Sequence, residues 1–262
     1  MEHFAIQTLG TGAADFDWSR IGELGVRGST STLLNGKVLI DAGSSAWENL
    51  ERFNISPSQL TDIVFTHTHS DHFSTTAIAR IISARRDVAP LRMWVSQDGV
   101  EILSEELKEF PKELHPVKWG DEFDCGELRF TALPSNHLIE RNIWEQTFWY
   151  LVETPRGNLL YALDGAWMVC QAAHLIGKRK LSWIIWDATM ENAGDWRSFE
   201  HSDLTMLEME IRALRVRGTV DDSTLHIISH LARTLWPDQE TSRKHAEARG
   251  FLMAYDGMKL DL

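Results

Sequence analysis

The stretch FTHTHSDHF, residues 65–73, holds three histidines and one aspartate within six positions. Ile63 and Val64 come directly before it, Phe65 begins it, and serines surround a predicted turn. This pattern predicts a buried strand that ends in a loop. Side chains at such a strand end lie at the edge of a cleft.

The spacing within this loop is typical of a metal site. Residues two apart in an extended chain point to the same side, so His67 and His69 can reach one ion. Asp71 and His72 follow the turn at Ser70 and point elsewhere, where they could bind a second ion. Imidazole with carboxylate favours zinc, iron or manganese, and the absence of cysteine ligands disfavours a closed structural zinc site. The alternative interpretation, a helix start capped by the serines and the aspartate, does not require three histidines.

The composition limits the class of protein. Hydrophobic residues make up 43% of the 262-residue chain, and neither a repeat nor a linker divides it, so we expect one domain over residues 1–262. The N-terminus lacks the features of a secretory signal, and no segment approaches the roughly 18 apolar residues of a membrane span.

Charge and cysteine content suggest a location and a class of partner. Cys125 and Cys170 are far apart and form no CxxC pair, which fits a reducing cytoplasm. The formal net charge of −12 argues against broad affinity for nucleic acid. We therefore expect a cytoplasmic protein that binds neither a membrane nor nucleic acid.

Strand-like and helix-like segments alternate along the chain, which predicts layered α/β structure with helices covering the faces of the sheets. The expected strands lie within residues 3–10, 31–43, 62–67, 91–96, 128–135, 147–164, 181–189, 224–230 and 251–262. The expected helices lie within residues 45–53, 75–87, 100–110, 168–180, 203–218 and 239–250.

Polar side chains that suit a metal follow several of these expected strands. If the strand ends lie on one edge of the sheets, the side chains converge on one pocket. Those at or just after a strand end are Asp41, His67, His69, His137, Asp164, Asp187 and His230.

Several motifs together resemble a known family. HTHSDH is similar to the HxHxDH signature of the metallo-β-lactamase fold hydrolases, and LGTGAA, LLNGKVLIDAG, LPSNH, YALDGAW and IISH occur in the order of that superfamily. The resemblance implies a four-layer αββα sandwich with two metals. By that resemblance Asp164 bridges both ions, and Asp41 orients a ligand histidine. The other implied ligands are His67, His69 and His137 for one ion, and Asp71, His72 and His230 for the other.

Two branches of the superfamily resemble this chain most, the PhnP-type cyclic phosphodiesterases and the tRNase Z endonucleases. Both share the arrangement in residues 187–205, where Asp187 precedes His201, and HSDLT, IISHL and AYDGMKL are most like the PhnP type. No cysteine cluster follows LGTG, so we expect no third, structural metal. The short segment after Gly165 and the acidic charge argue against the basic arm of tRNase Z, which favours a small substrate.

The resemblance leads to an expected chemistry, the hydrolysis of a small phosphate diester, cyclic diesters included. Two divalent ions would lower the pKa of a bound water, and the hydroxide so formed would attack phosphorus. His201 supplies a proton to the leaving group as general acid, Asp187 orients it, and Asp71 serves as both ligand and catalytic residue. Zinc or manganese is the expected metal, with iron as a further option, and a homodimer is compatible with the resemblance.

Two alternatives stay open. Lactonases, thioesterases and β-lactamases of the same superfamily use the same metal pair on carbonyl substrates. A non-catalytic metal-binding accessory protein is the second alternative.

Tryptophan is frequent, with 11 residues in the chain. Trp144, Trp149, Trp167 and Trp236 lie close in sequence to expected ligands. We expect most tryptophans to fill the core and a minority to line a substrate pocket.

Overall fold

The computed structural model describes residues 3–23 and 25–262, which divide into two compact units. The first unit comprises the chain up to Lys118 with Ile139–Gln146 and Tyr255–Leu262, and the second comprises Trp119–Leu138 and Thr147–Ala254. Within the described residues, each unit contains one seven-stranded sheet and three α-helices. The α/β class is therefore confirmed, while the expectation of a single domain stays a prediction.

The sheet of the first unit has the strand order β14-β1-β2-β3-β4-β5-β6. The neighbours from β14 to β3 pair antiparallel, and those from β3 to β6 pair parallel. Parallel neighbours end at the same edge of a sheet, so Asp41 after β3 and the 65–73 loop after β4 emerge side by side. The strands are β1 (Ala5–Gly10), β2 (Ser31–Leu34), β3 (Val38–Ile40), β4 (Asp62–Val64), β5 (Leu91–Val95), β6 (Lys112–Pro116) and β14 (Lys259–Asp261).

Three helices accompany this sheet: α1 (Ala46–Arg52), α2 (Thr75–Ala84) and α3 (Gln97–Glu106). The helix α2 begins directly after the histidine-rich loop, where the Ser74 hydroxyl accepts a hydrogen bond from the Ala77 N–H. Its apolar face is buried together with Ile63 of β4 and with Phe65 in one hydrophobic core. Burial of both neighbours fixes the loop between them.

The sheet of the second unit has the order β13-β12-β11-β10-β9-β8-β7. The neighbours from β7 to β10 pair antiparallel, and those from β10 to β13 pair parallel. Strands β8, β10, β11 and β12 therefore run in the same direction and end at one edge. The strands are β7 (Glu122–Cys125), β8 (Leu128–Pro134), β9 (Phe148–Thr154), β10 (Gly157–Ala162), β11 (Trp183–Asp187), β12 (Leu225–Ser229) and β13 (Leu252–Met253).

The helices of the second unit are α4 (Cys170–Ile176), α5 (Leu204–Arg217) and α6 (Gln239–Ala248). Asp203 caps α5 by accepting hydrogen bonds from the N–H groups of Thr205 and Met206, and Gly218 ends it in the left-handed region at φ 80°. Residues from all three helices share a hydrophobic core with β9 to β13. The cap places the start of α5 next to the candidate site, since His201 lies two residues before Asp203.

The sequence pattern missed two strands, β6 and β7, and both are edge strands of their sheets. Edge strands pair on one side only and tolerate charged residues and proline, so their apolar signal is weak. In β6 every residue is half-buried or exposed, and Pro116 ends the strand. All six expected helices are present, with ends that differ by a few residues.

Within the described part of the chain, no helix is both long enough and apolar enough to cross a membrane.

Candidate metal centre

In the first unit the turn within the 65–73 loop is held by backbone hydrogen bonds. The N–H groups of His72 and Phe73 donate to the His69 carbonyl oxygen, at 2.9 and 2.7 Å. The Ala42 N–H donates to the His72 carbonyl oxygen at 2.8 Å. His67, Asp71 and His72 are buried. The loop is thus a rigid support for its side chains.

The donor atoms of this loop are spaced as ligands of shared ions. His67 Nε2 lies 3.1 Å from His69 Nδ1, and His72 Nε2 lies 3.6 Å from an Asp71 oxygen. Two donors that each lie about 2.1 Å from a tetrahedral ion are about 3.4 Å apart. The measured spacings match that value, so the loop residues fit a divalent metal.

The other ring nitrogen of each histidine has a partner that fixes the tautomer. His72 Nδ1–H donates to Asp41 at 2.8 Å, and His67 Nδ1–H donates to the Thr66 hydroxyl at 3.0 Å. Thr66 itself donates to Asp41 through its N–H and its hydroxyl. Burial raises the pKa of the Asp41 carboxyl, and the charge of His72 acts in the opposite direction. Both histidines therefore present Nε2 with its lone pair.

His69 is oriented the other way round. Its Nε2–H donates to Glu140 at 3.0 Å, which leaves Nδ1 as the nitrogen that presents a lone pair. Neither Glu140 nor Thr66 was expected from the sequence. Thr66 lies inside the motif, but nothing in the sequence connects Glu140 to a loop 71 residues away.

In the second unit, strands β8, β10 and β12 deliver His137, Asp164 and His230 to one place. Asp164 Oδ2 lies 3.5 Å from His137 Nε2, and Asp164 Oδ1 lies 3.1 Å from His230 Nε2. Each carboxylate oxygen thus faces a different imidazole. This is the arrangement that a carboxylate needs to bridge two ions.

Asp187 and His201 form a buried pair beside these donors. His201 Nδ1–H donates to Asp187 Oδ2 at 2.7 Å, and the Thr189 N–H donates to Asp187 Oδ1 at 2.8 Å. Burial works to lower the pKa of His201, but the charge of Asp187 and the hydrogen bond to it raise that pKa to about 9. Burial works to raise the pKa of Asp187, and His201 outweighs it and holds that pKa below its ordinary value. Asp164, Asp187, His201 and His230 present donor atoms that all lie within 4.8 Å of one another.

Two further residues of the second unit, Thr189 and Glu200, contact ring nitrogens of the histidines, and neither was predicted from the sequence. The Thr189 hydroxyl lies 2.8 Å from His230 Nδ1, and a Glu200 oxygen lies 3.5 Å from His137 Nδ1. Both partners face the nitrogen away from Asp164. The only sequence signal for either is that Glu200 precedes His201.

Backbone strain marks three of the site residues. Asp41, Asp164 and His230 adopt positive φ angles of 62°, 51° and 59°. This left-handed region is unfavourable for residues with a Cβ atom and persists where the surrounding structure imposes it. The strain aims the side chains that follow β3, β10 and β12.

The geometry defines a class, an α/β protein with histidine and carboxylate donors suited to divalent metal ions. The Beta-lactamase superfamily domain model matches residues 37–227, and the chain belongs to this superfamily. It is thereby a member of a family of metallo-β-lactamase fold hydrolases.

Solved structures show the same fold over nearly the full length. The metallo-beta-lactamase fold protein YhfI of Bacillus subtilis is 14% identical, with a TM-score of 0.75 and 100% of both chains covered. A diphosphatase of the PhnP family is 20% identical, with a TM-score of 0.75 and coverage of 99% of this chain and 97% of that one. The short form of human tRNase Z is 17% identical, with a TM-score of 0.72 and 98% of both chains covered. The expected metallo-β-lactamase fold is confirmed.

The curated relatives are ribonucleases. A ribonuclease Z of Gemmatimonas aurantiaca is 29% identical over 112 residues, which is 40% of this chain and 35% of that protein. A ribonuclease BN of Cronobacter sakazakii is 27% identical over 127 residues, which is 44% of this chain and 42% of that protein. The alignments thus span less than half the length of these relatives.

These relatives overturn one expectation from the sequence. The net charge of −12 had argued that nucleic acid is not a partner, and this conclusion is wrong, because the relatives are named as enzymes that act on RNA. Net charge sums over the whole surface and does not describe the few groups that touch a substrate.

Proposed function

We propose that the chain is a metal-dependent phosphodiesterase that cleaves phosphate diesters with an alkoxide leaving group, ribonucleotide diesters included. The protein would bind two divalent ions, zinc or manganese. The proposed ligands are His67, His69 and His137 for one ion, Asp71, His72 and His230 for the other, and Asp164 for both.

The hydrogen-bonded pair of Asp187 and His201 carries the proposal. An alkoxide leaves phosphorus slowly unless a proton reaches it, and His201 is a positioned proton donor. Its Nδ1–H is held by Asp187 at 2.7 Å, so Nε2 is the nitrogen that transfers a proton. His201 is only 13% exposed in its side chain, which keeps bulk water from competing for that proton.

The remaining residues prepare the centre for substrate. Two divalent ions would supply a water-derived nucleophile near neutral pH and would offset charge on the phosphoryl oxygens. Asp41 and Thr66 hold imidazoles in the tautomer that binds metal. Asp71 adds a carboxylate that is buried next to His72.

The similar proteins support chemistry at phosphorus. The curated relatives are named ribonucleases, and one protein of the same fold is named a diphosphatase. Both names describe cleavage of a bond to phosphorus.

A panel of substrates tests the reaction class. Metal-loaded protein is assayed against bis-p-nitrophenyl phosphate, a lactone, a thioester and a β-lactam. We expect hydrolysis of the phosphate diester. Hydrolysis confined to the carbonyl substrates would exclude the proposed function.

The role of His201 is tested by the leaving group. His201→Ala should slow turnover by about 100-fold or more on an alkyl diester, and far less on a p-nitrophenyl diester, whose phenolate leaves without a proton. The metal content per chain, measured by elemental analysis, should stay the same. His174→Ala, an exposed histidine on α4, is the matched control. An equal loss on both substrates would remove His201 from the role of general acid.

A further inference from the structure

Large apolar side chains are exposed at the loops that carry the donors of the second unit. Two of the tryptophans near expected ligands, Trp149 and Trp236, are buried and fill the core. The exposed apolar residues near the donors are Leu138 at 41%, Trp167 at 42%, Trp196 at 66% and Phe199 at 83%. A group of exposed aromatic residues next to a polar site is a signature of ligand contact.

The loops of Trp167 and Phe199 are tied together by one amide. Asn136 Oδ1 accepts a hydrogen bond from the Ala166 N–H at 2.9 Å, and Asn136 Nδ2 donates to the Phe199 carbonyl oxygen at 3.3 Å. The Ser202 hydroxyl adds a hydrogen bond to the Ala166 carbonyl oxygen at 2.8 Å. Both aromatic residues therefore emerge from backbone that is fixed relative to the same side chain.

The same short connections join these aromatic residues to the donors. Asn136 precedes His137, and Trp167 lies three residues after Asp164. Phe199 precedes Glu200, which contacts His137 at 3.5 Å. Trp167 and Phe199 therefore lie on the same short loops as the donors Asp164 and His201.

The rings of Trp167 and Phe199 differ from that of their neighbour Trp196. The Arg197 guanidinium lies over the Trp196 ring at 5.2 Å and is paired with Asp195 at 2.9 Å. For Trp167 and Phe199, no ring contact occurs with any described residue, from 3–23 or 25–262. These two rings are therefore open to a ligand.

We propose that Trp167 and Phe199 form a base-stacking platform, so that the substrate carries a nucleobase beside the phosphate that is cleaved. This inference rests on the proposed function and names its substrate class. Every base has a π face, and stacking on aromatic side chains contributes affinity without sequence preference. Stacking does not depend on basic residues, so an acidic chain could bind a nucleotide in this way.

Two diesters with the same leaving group isolate the contribution of the base. Thymidine 5′-p-nitrophenyl phosphate and methyl p-nitrophenyl phosphate both release p-nitrophenolate, and only the first carries a nucleoside. The wild-type protein, loaded with metal, should show the higher kcat/KM on the thymidine ester. The ratio of the two kcat/KM values is the base preference.

Substitutions in the platform should reduce this base preference. Trp167→Ala and Phe199→Ala should each lower it by about fivefold to about 100-fold, whereas Trp167→Phe keeps an aromatic face and should keep most of it. Val216→Ala is the matched control, because Val216 is an apolar side chain of α5 that is 91% exposed. A base preference that is absent in the wild type, or unchanged in both alanine variants, would overturn the platform.

A binding measurement separates this inference from the proposed function. Calorimetry with metal-loaded protein compares uridine 5′-monophosphate with ribose 5-phosphate, and the nucleotide should bind more tightly through Trp167. If methyl p-nitrophenyl phosphate is cleaved and both ligands bind equally, the platform is wrong and the phosphodiesterase stands. If no diester is cleaved and the nucleotide still binds more tightly, the platform stands and the phosphodiesterase is wrong.

Discussion

The donor set of the first unit comes from a single loop, whereas that of the second unit comes from the ends of separate strands. His67 and His72 depend on local spacing and on one turn between them. His137 and His230 are 93 positions apart in the sequence and meet because β8 and β12 end at the same sheet edge. Asp164 faces both of them through different oxygens. A defect in the loop should therefore act on single ligands, while a defect at Asp164 should act on the whole set.

The largest effect is expected from removing Asp164, since this change tests that contrast directly. Asp164→Ala should weaken the binding of both ions by at least about 100-fold, because loss of a ligand should exceed the loss caused by an outer partner. His67→Ala should weaken the binding of one ion to a similar extent. Elemental analysis after dialysis against a chelator gives the metal content per chain. Full occupancy in both variants would contradict the ligand assignment.

The groups that orient the histidines also differ between the two units. Asp41 holds His72 in the first unit with a carboxylate, and Thr189 contacts His230 in the second with a neutral hydroxyl. Hydrogen bonds to charged groups are the stronger ones. Asp41→Asn should therefore reduce metal affinity by about 10-fold to about 100-fold, and Thr189→Val by less than about 10-fold.

Competition with a fluorescent chelator measures both affinities under the same conditions. Thr241→Val, which changes a hydroxyl in the first turn of α6, serves as the control for Thr189→Val. A larger loss of metal affinity in Thr189→Val than in Asp41→Asn would contradict the prediction that the carboxylate matters more than the hydroxyl.

The same contrast explains what the sequence could predict. The donors of the first unit could be predicted from the sequence because they lie within six positions and follow an apolar strand. Asp164 and His230 stood out in the sequence only as polar residues that follow expected strands, and their assignment as metal ligands came from family resemblance. Glu140 and Glu200 were missed because their roles depend on how loops fold back onto histidines. The left-handed backbone of His230 is likewise set by its surroundings and leaves no sequence signal.

Each unit also contains a buried glutamate, and the two differ in their hydrogen-bond partners. Glu145 of the first unit accepts hydrogen bonds from the Thr68 and Ser96 hydroxyls, at 2.6 and 3.2 Å. Glu210 of the second unit accepts one from the Met168 N–H at 3.1 Å, and its Oε2 has no hydrogen-bond partner among the described residues. Burial raises the pKa of Glu210 to about 8. Glu210 is therefore protonated in the folded protein at neutral pH.

This raised pKa makes stability depend on pH. The contribution of Glu210 is fully present below its unfolded pKa of about 4.3 and is lost as the pH rises through about 8. Each unit of pH within this window costs roughly 1.4 kcal/mol. Glu210→Gln removes the titrating group. The free energy of unfolding of this variant, relative to that of the wild type, should therefore rise by a few kcal/mol between pH 5 and pH 9.

Urea unfolding at pH 5, 7 and 9 measures this difference. Glu208→Gln on the same helix is the control with the opposite sign, because the hydrogen bond from Arg249 lowers the pKa of Glu208. If the free energy of unfolding depends on pH in the same way for Glu210→Gln and the wild type, folding does not raise the pKa of Glu210, and the prediction is wrong.

The smallest effect is expected at the helix starts that follow the two donor sets. The Asp203 carboxylate accepts hydrogen bonds from two N–H groups of α5, at 2.7 and 3.0 Å. The Ser74 hydroxyl accepts one hydrogen bond from an N–H group of α2, at 3.3 Å. Each cap should stabilise the fold by about 1 kcal/mol. Asp203→Ala and Ser74→Ala should therefore lower the melting temperature by about 2 to 4 °C, with the larger decrease in Asp203→Ala. Metal content should be unchanged in Ser74→Ala, because the cap lies outside the donor set. Loss of metal in Ser74→Ala would contradict this and would show that the 65–73 loop needs the cap in order to bind metal.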